Sequence, residues 1–130
     1  MFLHLLNENQ KLEFLKLGRR MIQADDKALD QEKAYLFRLM REAGIKAHQR
    51  DAARDGEFDA SIFDTRRVRI AAAVEMLVLA HVDGEFADAE VMVAADVFRE
   101  FEIDAADRAD IQKAAENIVE ALAIASRLMV

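Results

Sequence analysis

Two short acidic runs hold the side chains best suited to chemistry: "ADDKALDQE" at residues 24–32 and "VDGEFADAE" at residues 82–90. Both contain D-x4-D-x-E, as Asp25, Asp30 and Glu32 in the first and Asp83, Asp88 and Glu90 in the second. Clustered carboxylates are hard oxygen donors, suited to calcium, magnesium or manganese rather than zinc. Laid on a twelve-position calcium loop, Asp83 takes position 5, Gly84 the invariant glycine, Phe86 the apolar position 8 and Glu90 the bidentate position 12. Positions 1 and 3 would be Leu79 and His81, so a complete EF-hand is excluded. What remains is a partial oxygen shell, fit for a cation held at about 10⁻⁴–10⁻³ M.

The same residues have a purely structural reading. Asp30 and Asp88 suit helix N-caps, and Glu32 and Glu90 in the following turn complement the helix dipole. Asp25 and Asp83 fall near the C-terminal ends of the preceding helices, where the dipole disfavours an anion by a few tenths to about 1 kcal/mol. Either the aspartate bonds its own backbone in a turn, as Asp-Gly invites, or a cation shared with Glu90 compensates. Both readings stand on the sequence.

Other chemistries find less material. His81 stands at a helix end, where a dipole role competes with metal ligation, and His4 and His48 lie in unrelated segments, so no three-histidine zinc site assembles. With no cysteine, one tyrosine, two serines and one threonine, activated nucleophiles are nearly absent, and no glycine-rich phosphate loop occurs. An enzyme would have to work through the clustered carboxylates of the acidic turns. That is the alternative to a non-enzymatic binding module.

These residues need a scaffold, and composition bounds it. The chain has 130 residues, 53% hydrophobic and 33% charged, enough for one domain with a single core. Its most apolar stretch, residues 70–82, is too short to span a bilayer and contains Glu75. The start "MFLHLL" lacks a cationic n-region and a small-residue cleavage site, which points to the cytoplasm. Net charge is −7, and residues 81–110 carry ten acids against Arg99 and Arg108. Such a surface repels phosphate backbones and argues against nucleic acid. Arg66, Arg67 and Arg69 read as the solvated face of a helix.

Proline is absent, glycine occurs four times, and apolar residues recur at helical spacing, so the expected class is all-α. Asn7 caps a helix to about Ala24, with Gly18 at a close-packing position. Asp30 caps a second, ending near Gly44. The pattern weakens over 46–64, with a turn at Asp55-Gly56 and short helices beside it. Thr65 caps a third main helix to about Val82, Asp88 a fourth to about Phe101, and Asp104 opens a fifth that runs almost to the end. The expected core includes Leu36, Leu39, Met40, Val74, Leu77, Val78, Val97, Phe98, Ile118 and Leu122. A shift of 58 positions lays residues 10–45 on 68–103, with Asp25, Asp30, Glu32, Arg41, Glu42 and Ile45 falling on identical residues. The expected unit is therefore a helix–acidic turn–helix hairpin used twice, closed by a long C-terminal helix.

The aspartate after an apolar helix, the neighbouring glycine and the glutamate opening the next helix, together with the "FLHLL" start and the chain length, resemble the tellurite-resistance TerB family and its TerB-like relatives. The resemblance covers nearly the whole chain. The first turn departs from it in having Asp26 where the second has Gly84. It implies a compact helical bundle, associated with stress and metalloid resistance, whose acidic turns are connected with divalent cations, and it does not imply an enzyme. The expected partner is another protein, or a second copy meeting this one through Met- and Phe-rich helix faces.

Overall fold

The computed structural model describes residues 1–24, 30–52, 57–82 and 86–130. Among these lie six α-helices and no strand: α1 Glu8–Ala24, α2 Asp30–Glu42, α3 Ala47–Ala52, α4 Arg66–His81, α5 Asp88–Glu100 and α6 Ala105–Leu128. Single 3-10 turns sit at Leu3–Leu5 and Ala60–Ile62. The expected all-α class holds. The expected turn at Asp55-Gly56 lies outside the described residues.

Local chemistry sets most helix boundaries. Asn7 Oδ1 accepts the Gln10 N–H at 2.9 Å while Gln10 Oε1 accepts the Asn7 N–H at 2.9 Å, a reciprocal box that starts α1. Thr65 Oγ1 accepts from Val68 N at 3.3 Å to start α4, and Asp104 Oδ1 from Asp107 N at 2.8 Å to start α6. At the end of α2, Gly44 takes φ 81°, with Ile45 N–H donating to Met40 O at 2.9 Å and Gly44 N–H to Arg41 O at 3.0 Å. This is the left-handed termination that glycine favours.

The second hairpin repeats that ending. Glu102, 58 positions on, takes φ 56°, Ile103 N–H donates to Phe98 O at 3.0 Å, and Glu102 N–H donates to Arg99 O at 3.1 Å. The bounds of α2 and α5 differ by the same shift at both ends, as do the first residues of α1 and α4 and of α3 and α6. The correspondence therefore reaches beyond residues 10–45 and 68–103, taking in the caps Asn7 and Thr65 and the opening turn of α3 and α6.

Helix α4 is the centre. It packs against α6, α1, α5, α2 and the N-terminal 3-10 turn. Every residue from Ala71 to Ala80 is buried, which is why this segment is apolar on all sides apart from Glu75. Gly18 lets α1 approach: a Cβ there would stand 2.8 Å from Leu36 Cδ1 and 3.3 Å from Leu79 Cδ2. Of the expected core, Leu36, Leu39, Met40, Val74, Leu77, Val78, Val97 and Phe98 are buried. Ile118 is partly buried and packs against that core, whereas Leu122 is 38% exposed, contrary to expectation. The reason is length: α6, at 24 residues, extends about 36 Å, and its later turns overrun the 16-residue α4. Its two buried residues, Ile111 and Ala115, both lie in its first half. No helix among the described residues is long and apolar enough to cross a membrane.

Candidate functional site

The acidic residues singled out by the sequence divide sharply by burial. Asp30 and Asp88 are the first residues of α2 and α5, and both are exposed. Two residues on, Glu32 and Glu90 are each 0% exposed. Successive helical residues are about 100° apart, so one carboxylate of each pair faces water while the other turns inward. Asp25 and Asp83 lie outside the described residues. Among the described residues no group of three or more His, Cys, Asp or Glu side chains is placed to hold a metal ion.

Asp88 is not the cap of α5. Ala87 occupies that position, with extended backbone (φ −65°, ψ 152°), and no side chain caps the helix from there. Instead Glu90 reaches back, its Oε1 accepting the Ala87 N–H at 3.2 Å. This is half of a capping box, formed without the hydroxyl or carboxylate that normally supplies the other half. An aspartate directly before an apolar run looks like a cap in sequence, and alanine offers no signal. Asp88 instead complements the helix dipole from the first helical position.

His81 closes α4 as expected and is tied to α6. The Gln112 side-chain amide nitrogen lies 2.8 Å from His81 Nε2, with the amide N–H donating, and the same nitrogen also donates to Glu116 Oε1 at 2.9 Å. The imidazole stacks at a tilt on Phe86, ring centroids 4.6 Å apart. Phe86, the apolar position 8 of the loop pattern, thus packs on the histidine that precedes the turn.

A third buried acid, Glu75, lies in the middle of α4 at 1% exposure. Its Oε1 accepts from the Met1 amine at 2.8 Å and from the Phe2 N–H at 2.7 Å, fastening the N-terminal segment to the central helix, while Oε2 is buried without a hydrogen-bond partner. The sequence signal was present, as the one acid in an apolar stretch, but nothing in the spacing said which backbone would come to meet it. Tyr35, 8% exposed, has its phenol pushed up to about 12, first by burial and then by the negative charge of Glu75.

The arginine cluster is partly structural rather than merely solvated. Arg66 pairs with Asp107 at 2.6 Å, joining α4 to α6, and Arg69 Nε donates to Phe63 O at 2.7 Å. Arg67 is exposed. No family model, no curated protein and no solved structure matches this chain.

Proposed function

We propose that this chain is a non-enzymatic TerB-like interaction module, associated with stress or metalloid resistance, whose acidic turns bind a divalent cation weakly. The observation that supports the reading is the burial of Glu32 and Glu90 at equivalent positions of the two halves. A glutamate that only complements a helix dipole gains as much from the surface, whereas enclosing a carboxylate costs several kcal/mol before its partners are counted. Doing so twice, beside an exposed aspartate each time, favours a role for the inward oxygens. The candidate ligands are Asp83 and Glu90 in the second turn and Asp25 and Glu32 in the first; Asp88 and Asp30, also candidates from the sequence, face water instead. Calcium, magnesium or manganese suit such oxygens.

Glycine enters tight turns more readily than aspartate, so the second run, with Gly84 where the first has Asp26, is expected to be the stronger site. Calorimetric titration with the three ions should give a dissociation constant of about 10⁻⁴–10⁻³ M. Glu90→Gln should weaken binding at least tenfold and Glu32→Gln should weaken it less. No heat at millimolar ion, or binding unchanged by Glu90→Gln, would reduce both runs to acidic helix–helix turns. Binding of a partner protein is then to be compared with and without the ion, by recovery from the native cell extract.

A second copy of the chain is a competing partner, favoured by one observation. The end of α6 exposes Leu122, Ile124, Leu128 and Met129, a run of apolar side chains beyond the bundle. Sedimentation equilibrium on the intact chain tests it, and a monomer at high concentration would discard it.

A further inference from the structure

The two halves part company after α3. Residues 115–122 of α6 correspond to 57–64 of the first half, and those do not continue a helix on the α3 axis. They turn aside instead: Phe58 and Phe63 pack towards Phe101 with ring centroids 6.1 and 5.3 Å away, and Gln10 Nε2 donates to Ile62 O at 3.0 Å. Among the described residues, no long helix covers the groove of α1 and α2 as α6 covers α4. Side-chain size follows the same division. Ala73, Ala80, Ala94 and Ala95 stand in the second half where Leu15, Ile22, Leu36 and Phe37 stand in the first.

What remains is a cavity of about 570 Å³ between α1, α2 and α3. That is within the usual size of a small-molecule site. Leu15, Ile22, Leu36 and Met40 supply apolar lining. Arg19 from α1, Lys33 from α2 and Arg50 from α3 supply three cations, against the single carboxylate of Asp51. Among the described residues none of these cations pairs with a carboxylate. Arg19 spends one N–H on Arg50 O at 3.2 Å. Arg50 lies over the ring of Phe37, 4.3 Å from its centroid, and its Nε is buried without a hydrogen-bond partner. A buried donor of a charged group left unmatched is costly, and an anion is its natural complement.

We propose that this cavity binds a small amphiphilic oxyanion, with the head group held by Arg50 and Arg19 and an apolar body laid along Leu15, Ile22, Leu36 and Met40. Lys33 adds charge at the rim, and the Phe37 ring supports the Arg50 guanidinium. The cavity borders the first acidic run, Lys33 directly following Glu32, but the proposal does not rest on that run binding a cation. Guanidinium groups suit carboxylate and phosphate heads alike, so the ligand class is defined by an oxyanion joined to an apolar chain or ring.

The test is a heteronuclear NMR titration of the whole chain with decanoate, decyl phosphate, decanol and inorganic phosphate. The expected result is saturable binding of decanoate or decyl phosphate, with shifts at Leu15, Ile22, Phe37 and Met40, and much weaker binding of decanol and inorganic phosphate. Arg50→Gln should weaken the anion by about tenfold to a hundredfold. Arg108→Gln, the equivalent substitution in the half whose groove is filled, should leave it unchanged. Should Arg50→Gln fail to fold, Lys33→Gln at the exposed rim takes its place, with a smaller loss expected. No saturable binding, equal binding of decanol, equal loss from Arg108→Gln, or capture only by phosphatidylglycerol vesicles would each overturn the proposal.

Discussion

Tyr35 is the only tyrosine in the chain, which makes its environment directly measurable. Burial and the neighbouring charge of Glu75 disfavour the phenolate, and the phenol is pushed up to about 12. In the unfolded chain it ionises near 10. Between those values the unfolded state has lost a proton that the folded state keeps, so stability falls as pH rises. The contribution is fully present below pH 10 and is lost through pH 12. Absorbance at 295 nm should show one phenol titrating well above 10. The difference in unfolding free energy between wild type and Tyr35→Phe should shift by about 2 kcal/mol between pH 9 and pH 12, against the wild type. A midpoint near 10 would mean the ring is not enclosed as described. At this scale residue type was legible and burial was not: the sequence marked Glu32 and Glu90 as candidate ligands, but their full enclosure depends on which face of each first turn meets α1 and α4.

At the scale of elements, chain punctuation carried most of the information. Asn7, Thr65 and Asp104 are caps where the sequence placed them, and Gly44 ends α2 as expected. The less legible boundaries are those whose residue lacks the usual side chain: Ala87 at the start of α5, and Glu102 in a conformation that glycine would adopt more easily. This contrast can be tested by exchange. A non-glycine residue with left-handed backbone costs about 1–2 kcal/mol, partly offset by the greater freedom glycine has when unfolded. Glu102→Gly should therefore stabilise the chain by about 0.5–1 kcal/mol, and Gly44→Ala should destabilise it by about 1 kcal/mol. Urea titration of both variants checks the pair. Equal and opposite behaviour would support common hairpin endings, whereas loss of stability in both would show that Glu102 is held by more than its backbone angle.

For the molecule as a whole, the repeat explains both what could be read and what could not. Periodicity gives the apolar face of each helix but not where a partner helix ends, and Leu122 keeps the register of α6 after α4 has run out beneath it. Leu77, at 0% exposure in the centre of α4, and Leu122, at 38%, thus look alike in sequence and differ in consequence. Leu77→Ala should cost about 2–5 kcal/mol in urea unfolding, because it removes contacts on every side and leaves a void. Leu122→Ala should cost about 0.5 kcal/mol or less, as expected of a side chain that borders solvent. A large loss from Leu122→Ala would show that the end of α6 is covered in solution, and the concentration dependence of the midpoint would then identify the cover. If a second copy supplies it, the wild-type midpoint rises with protein concentration and that of Leu122→Ala rises less; if the midpoint is the same at micromolar and millimolar protein, the apolar end of α6 stands free of its own kind.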